Sequence, residues 1–398
     1  MPADAIIFVP GIKGTKLLNT NLVNHDTIWS ALQSNFETIG DLELTRSLQD
    51  QYYDEHADVI VEPGELEELA YAEFIRDLDA GKPIYIFNYD WRLSAFENAY
   101  RLEAFIDYLV EKSTASREMR TFKSFDFITH SLGNFIVRAY LKHFGFDRTG
   151  KVIFTVPPFR GSLDIASVVT VGEGFFDSVK TRIRKLIRTM PGALELLPTY
   201  EKAGVFDSGR GRHNFFNAEH WQSNITNTRN TSVQKRDNAE KFIAALKEAK
   251  STVNNRLLDL NELSATEKRK CLVLARTGYE TWQSVRVLKD PEPPNPRNFI
   301  DFEHGLRTDH GDGRVADASS CCYHDAVKTL VIEDAFFHRD YSHGLFLKDE
   351  RVQRIVRKFL DNETGAFWKI PGEAVKRVKG LKEAIDAETG LTYRKIVV

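Results

Sequence analysis

A serine at a predicted turn is the first residue in this sequence whose position suggests chemistry. Residues 125–128, FDFI, predict a buried strand, and from Leu132 onward apolar residues recur at helical spacing. Ser131 lies between the two elements. At such an elbow the serine hydroxyl is exposed, and the next backbone N–H and the helix dipole face the same point. The pattern predicts a nucleophile, and the alternative that it leaves open is a serine that only caps a helix.

The residues two positions before and after this serine must be small, because a strand and a helix approach each other closely at an elbow. Gly133 meets this requirement on the helix side. Thr129 stands on the strand side, so the motif is T-x-S-x-G instead of G-x-S-x-G. Threonine is branched but modest in size, and the nucleophile remains the favoured interpretation.

A nucleophilic serine on such an elbow needs an acid and a histidine base, which follow it in that order along the chain. Asp312 lies between two glycines in the stretch GDGRV, where a tight turn can present its carboxylate; a simple surface turn is the alternative. His343 lies just before the last amphipathic segment and is the predicted base. His338 is the second choice, and His310 is too near Asp312 in the chain to serve.

Ester attack also needs two preorganised donors for the negative charge that develops on the carbonyl oxygen. The N–H of Leu132, next to the serine, is one predicted donor. The first predicted strand, residues 5–9, ends in PGIKG, a loop that can bring the N–H of Ile12 over Ser131. An ordinary glycine-rich turn is the alternative. The loop lacks the spacing of a phosphate-binding G-x-x-x-x-G-K-[ST] loop, which argues against nucleotide binding.

Five stretches, in order, resemble the lecithin:cholesterol acyltransferase family of α/β-hydrolases. They are FVPGIKGTKLL at 8–18, YDWR at 89–92, THSLG at 129–133, GDGRV at 311–315 and SHGLF at 342–346. The resemblance implies an α/β-hydrolase fold in which Ser131 is the nucleophile, Asp312 the acid and His343 the base.

The same resemblance implies roles for other residues. It makes the N–H groups of Ile12 and Leu132 the oxyanion donors, and it places Asp90 and Trp91 near the acyl site. Arg314 departs from the family, which often has threonine at this position, as Thr129 departs from the elbow glycine. Neither departure removes a reacting group.

Strand and helix patterns alternate along much of the chain, which predicts a parallel sheet with helices on both faces. Further strands are predicted at 59–61, ending before Pro63-Gly64, and at 83–87, 152–156, 271–275 and 329–332. Helices are predicted at 70–78, from Ser94 onward and at 349–360. The predicted organisation is an α/β-hydrolase core of residues 1–162 and 265–361, a mainly helical cap at 163–264 with a mobile loop at 222–241, and a C-terminal extension at 362–398.

Bulk composition narrows the class of protein. The 398 residues carry a net charge of −3, with a pI near 6.4, so nothing favours nucleic acid as a partner. Three cysteines fit a reducing compartment. The N-terminus lacks a basic segment with a long apolar run, and no run approaches the roughly 18–20 residues of a membrane span. We therefore expect a cytoplasmic protein, or one exported without a signal peptide, that needs neither metal nor organic cofactor.

The predicted cap suggests the substrate. Apolar residues such as Val179 and Ile183 share one helical face of residues 175–188, and basic residues such as Lys180 and Lys185 occupy the rest. Such a helix can rest on anionic lipid, and an ordinary cap helix that packs on the core is the alternative. The sequence predicts a serine hydrolase of acyl lipids, able also to transfer the acyl group. A hydrolase of small esters or thioesters and a non-catalytic binding protein are the alternatives.

Overall fold

The structure is a computed structural model. It describes residues 3–20, 26–30, 39–44, 60–78, 81–116, 121–174, 177–206, 212–288, 299–333, 342–361, 374–378, 381–386 and 391–396. Its strands, in chain order, are β1 (Ala5–Val9), β2 (Thr15–Asn19), β3 (Asp26–Trp29), β4 (Val61–Leu66), β5 (Ile84–Ile86), β6 (Phe125–His130), β7 (Thr149–Thr155), β8 (Gly204–Phe206), β9 (Cys271–Thr277), β10 (Thr281–Val287), β11 (Ile300–Thr308), β12 (Lys328–Glu333), β13 (Ala374–Val378), β14 (Leu381–Asp386) and β15 (Leu391–Ile396).

A central sheet carries the site, and the predicted α/β-hydrolase fold is confirmed. Six parallel strands lie in the order β5-β1-β6-β7-β9-β12, and β15, β14 and β13 continue the sheet as antiparallel strands beyond β12. The strand after which Ser131 follows, β6, lies in the middle of the parallel set and pairs with β1 through Val9 and Thr129. Loops that follow parallel strands meet at one edge, which is where α/β proteins bind ligands.

Helices pack against both faces of this sheet and also build the segment predicted as a cap. They are α1 (Glu68–Asp77), α2 (Ala95–Ala115), α3 (Gly133–Phe144), α4 (Leu163–Thr170), α5 (Asp177–Ile187), α6 (Pro191–Leu194), α7 (Ser223–Thr226), α8 (Val233–Asn255), α9 (Ala265–Lys270), α10 (Asp317–Ser320) and α11 (Glu350–Leu360), with 3₁₀ turns at Ile39–Leu42, Ala218–His220, Leu260–Glu262 and His343–Lys348. Within the described residues, no helix combines the length and apolar composition needed to cross a bilayer.

Two buried clusters, one on each face, explain why the central strands are almost continuously apolar. In β1, Ile7 and Val9 pack into one cluster, and Ile6 and Phe8 pack into the other. A strand covered on both faces needs no polar alternation. The predicted strand at 5–9 is confirmed, and β6 extends two residues beyond the predicted 125–128, up to His130.

Two local predictions are wrong. The strand expected to end before Pro63-Gly64 runs through both residues as β4, because β4 pairs only with β2 in the order β3-β2-β4, and an edge strand tolerates proline. The loop expected to be mobile at 222–241 contains α7 and the first turns of α8. The predicted tail at 362–398 contributes β13, β14 and β15 to the central sheet.

A second sheet joins two parts of the chain. Its order is β11-β10-β8, so the hairpin of β10 and β11 pairs with a strand from the segment predicted as a cap. A third sheet, β3-β2-β4, follows directly from the loop after β1.

Candidate active site

The turn after β6 is a tight elbow at Ser131. Ser131 has a φ of 52°, a left-handed conformation that is rare for residues with a side chain, and its N–H donates to the carbonyl of Thr155. Gly133 begins α3 against the end of β1, where a Cβ would lie 2.4 Å from the carbonyl oxygen of Val9. No larger residue fits there, which is the close approach that the sequence predicts at this position.

The threonine that replaces the expected glycine is part of a buried polar network. Its hydroxyl lies 2.6 Å from Oδ1 of Asn134, whose Nδ2 donates to the carbonyls of Ser131, at 2.6 Å, and Thr155, at 3.1 Å. Thr129 and Asn134 are both fully buried. The departure from the elbow glycine therefore gives Asn134 a donor and ties the start of α3 to the turn.

The structure brings the three predicted triad residues together. Nε2 of His343 lies 2.9 Å from Oγ of Ser131, and Nδ1 of His343 lies 2.7 Å from Oδ2 of Asp312. All three residues are buried, although Ser131 and His343 also line a cavity. This arrangement can move a proton from the hydroxyl to the imidazole while the carboxylate holds the ring. His338, the second choice for the base, lies outside the described residues.

Backbone groups fix Asp312 and His343, the predicted acid and base. Oδ1 of Asp312 accepts from the N–H groups of Arg314, at 3.0 Å, and Val315, at 2.8 Å, so Oδ2 remains for His343. The carbonyl of Asp312 also accepts from the N–H of His343 at 3.1 Å. The side chain of Arg314 points to another partner, Oδ2 of Asp164 at the start of α4, at 2.6 Å. The backbone N–H of residue 314 can donate to Asp312 whichever side chain this residue carries.

The loop after β1 lies against Ser131, the predicted nucleophile. A Cβ on Gly11 would lie 2.9 Å from Cβ of Ser131, and Ile12 lines the same cavity as Ser131. Lys13, the next residue, has a φ of 62°. Among the described residues, the N–H groups of Ile12 and Leu132 donate to no protein acceptor. Both predicted donors are therefore available to an oxyanion near Ser131.

A cavity of about 610 Å³ opens at Ser131. Its size is within the range of small-molecule sites. One wall is apolar and comes from α4, α5 and the segment after α6: Ile165, Val168, Val179, Ile183, Ile187 and Leu196. The apolar face of α5 is thus turned toward the cavity, as the alternative of an ordinary cap helix expects.

Charged residues surround another part of the cavity. Nζ of Lys13 lies 2.5 Å from Glu173, and Arg314 lies 3.7 Å from the other carboxylate oxygen of Glu173. The ammonium group of Lys13 has the largest effect on the pKa of the Glu173 carboxyl and lowers it. Burial opposes this effect but is weaker, so the net shift of the pKa is downward. Arg188, in contrast, is buried and donates to the carbonyl of Val169, so it does not belong to the exposed basic face of α5.

Asp90 and Trp91 lie in the core and do not line this cavity. Asp90 forms a buried ion pair with Arg92 at 2.7 Å, and Nε1 of Trp91 donates to the carbonyl of Thr15 at 3.0 Å. These contacts support the loops after β1 and β5. The geometry gives the two residues a packing role, and the substrate-binding role that the resemblance implies for them stays a prediction.

The sequence did not indicate two further residues at the site. Nδ1 of His130, the residue before Ser131, lies 2.8 Å from the hydroxyl of Tyr71, and its Nε2 lies 2.9 Å from the carbonyl oxygen of His343. Burial, with a smaller effect of His343, lowers the pKa of His130 to about 3, so its ring is neutral at ordinary pH. The position of His130 before Ser131 was a local signal, whereas nothing in the sequence near Tyr71 connects it to Ser131.

One family model and several solved structures are similar to this chain. The family model described as lecithin:cholesterol acyltransferase matches residues 78–290, a range that includes Ser131 but not Asp312 or His343. A chain of the Tle4–Tli4 complex is 16% identical with a TM-score of 0.62, covering 90% of this chain and 98% of that one. The lipase BlEst2 from Bacillus licheniformis, in mature form, is 10% identical with a TM-score of 0.38, covering 90% and 92%. No curated protein matches the sequence.

Proposed function

The chain belongs to the lecithin:cholesterol acyltransferase family, and from this membership and the site we propose a serine hydrolase that cleaves acyl ester bonds of lipids. Membership and fold support lipid ester hydrolysis or acyl transfer in general terms. The observation that carries the specific proposal is the line of contacts from Ser131 through His343 to Asp312 at the mouth of a cavity with an apolar wall.

The proposed reaction has two steps. His343 Nε2 takes the proton of the Ser131 hydroxyl while Oγ attacks the ester carbonyl, and the N–H groups of Ile12 and Leu132 stabilise the oxyanion. His343 then gives the proton to the leaving alcohol, and an acyl-enzyme remains on Ser131. Water, or a second alcohol, repeats the sequence and releases the acid or a new ester. Asp312 keeps the imidazole in the correct tautomer and stabilises its charged form.

The apolar wall of the cavity favours substrates with a long acyl chain over those with a short one. Each methylene group that leaves water for an apolar wall contributes about 0.8 kcal/mol. Val168, Val179 and Ile183 are among the side chains that offer such a wall close to Ser131. This favours acyl lipids over short esters as substrates, and the intact triad argues against a binding protein without turnover.

Hydrolysis of nitrophenyl esters of increasing acyl length tests the proposal. We expect turnover to rise with chain length, to fall by at least about 10⁴-fold in Ser131→Ala, and to fall by about 10⁴-fold in Asp312→Asn, which permits the wrong tautomer of His343. A fluorophosphonate should label the wild-type serine. Wild-type rates in Ser131→Ala would remove the assignment, and activity restricted to short chains would favour the small-ester alternative.

Membrane contact through the cap is a further part of this proposal. The outer side of α5 exposes Arg182 and Lys185, and its apolar side covers the cavity. Contact with anionic lipid through the basic side would place the cavity near its substrate. Flotation with liposomes should therefore depend on anionic lipid and weaken in the double variant Arg182→Glu/Lys185→Glu. A matched charge reversal at the exposed Lys250 of α8 is the control, and absence of flotation with either lipid composition would contradict the proposal.

A further inference from the structure

A chain of hydrogen bonds runs behind the nucleophile and has a fixed direction. The carbonyl oxygen of His343 only accepts, so Nε2 of His130, 2.9 Å away, carries the hydrogen. The ring is neutral, which leaves Nδ1 as an acceptor. The hydroxyl of Tyr71, 2.8 Å from Nδ1, must then donate to it. The same hydroxyl oxygen accepts from the N–H of Gly11 at 3.1 Å.

This chain of hydrogen bonds joins the three segments that carry the reacting groups. Gly11 precedes Ile12 in the loop after β1, His130 precedes Ser131 at the elbow, and the carbonyl belongs to His343 itself. The N–H of His343 is already bound by the carbonyl of Asp312. The backbone of the base is thus held on both sides, from Asp312 and from His130.

We propose that Tyr71 and His130 are positioning residues that keep the oxyanion donor of Ile12 and the imidazole of His343 in register around Ser131. The proposal rests on the proposed function for its catalytic consequence, but its structural content is independent of turnover. The site has little tolerance, because a Cβ on Gly11 would come within 2.9 Å of both Nδ1 of His130 and Cβ of Ser131.

Removing one oxygen atom breaks the chain in the middle. Tyr71→Phe keeps the ring, which packs edge-on against Phe8 with centroids 5.1 Å apart, but it leaves the N–H of Gly11 and Nδ1 of His130 without their partner. Misplacement of reacting groups by about 1 Å can cost on the order of 100-fold in rate. We expect kcat to fall about 10- to 100-fold, with KM changed little, because the cavity wall is retained. A residue that only contacts substrate would raise KM instead.

Variants at His130 and a matched tyrosine complete the test. Glutamine can donate to the carbonyl of His343 and accept from Tyr71, so His130→Gln should keep most of the turnover that His130→Leu loses. Tyr200→Phe is the control, because Tyr200 is also buried and its hydroxyl has no partner among the described residues. Thermal unfolding identifies any variant that fails to fold. If Tyr71→Phe fails to fold, the comparison of His130→Gln with His130→Leu tests the positioning role instead.

Hydrogen exchange separates this proposal from the proposed function. Peptides that cover residues 8–16 and 342–348 should exchange faster in Tyr71→Phe than in wild type or Tyr200→Phe, and they should do so equally in a Ser131→Ala background. Unchanged exchange in both peptides would overturn the positioning role, whatever the activity. Faster exchange in a protein without serine-dependent turnover would instead support the positioning role of Tyr71 and His130 and refute the proposed hydrolase function. Equal kcat in wild type and Tyr71→Phe would also overturn the proposal.

Discussion

The threonine at the elbow gives the sharpest prediction about stability. Its hydroxyl is fully buried and donates to Oδ1 of Asn134, and only this orientation of the Asn134 amide lets its Nδ2 donate to the carbonyls of Ser131 and Thr155. Thr129→Val keeps the shape and removes the donor. A buried acceptor left unpaired costs about 1–3 kcal/mol, which is the expected loss in the free energy of unfolding.

Restoring the usual glycine should therefore destabilise this protein. Thr129→Gly loses the same donor, about 0.8 kcal/mol for each buried carbon removed, and about 0.5–1 kcal/mol for the added backbone freedom in a strand. With two carbons removed, the sum is about 3–6 kcal/mol, a large part of the roughly 5–15 kcal/mol that stabilises a typical protein. Thr129→Ser keeps the hydroxyl and should lose only about 1 kcal/mol.

Urea unfolding of the three variants, with ester turnover measured in parallel, checks this order. We expect wild type to be the most stable, followed by Thr129→Ser, Thr129→Val and Thr129→Gly. Turnover should fall more in the valine variant than in the serine variant, because valine, unlike serine, removes the donor to Asn134 at the start of α3. A glycine variant as stable as Thr129→Ser would refute the argument that the hydroxyl is needed.

Two further predictions concern the surroundings of the site. Glu195, after α6, is fully buried and accepts a hydrogen bond from the N–H of Ala95 at 2.9 Å. Burial raises the pKa of its carboxyl well above the usual value. Its contribution to stability is therefore present at low pH and is lost as pH rises through the raised pKa. Glu195→Gln should thus raise the melting temperature at mildly alkaline pH and leave it unchanged in acid, and equal effects at both pH values would contradict this. Gly133→Ala should cost about 1–3 kcal/mol in urea unfolding and reduce turnover, because its Cβ would meet the carbonyl oxygen of Val9 and displace the loop that carries Ile12; a fully active alanine variant would show that this loop can move without loss.

The central strands and the three side chains that meet at Ser131 could be predicted from the sequence, whereas the first turns of α8 could not. The buried face of α8 contains Ala239, Ala245 and Ala249 beside Phe242 and Leu246. Only its first turns, residues 233–241, fall in the predicted loop, because they bury little besides Ala239 and alanine adds little to an apolar pattern. The strands β13, β14 and β15 were missed for a related reason, since their segment is rich in charged residues, and their pairing with β12 depends on partners distant in the chain.

The same physical limit applies within the site. Asp312 is held by the N–H groups of residues 314 and 315, so Arg314 can stand where the resemblance implies threonine without disturbing the carboxylate of Asp312. A backbone donor has no side-chain identity, and a sequence motif cannot reveal whether it is present. Thr129 is the opposite case, because its side chain supplies the hydrogen bond and its identity matters. A departure from a motif is harmless where the backbone supplies the hydrogen bond. It is informative where the new side chain forms a hydrogen bond that the usual residue cannot form.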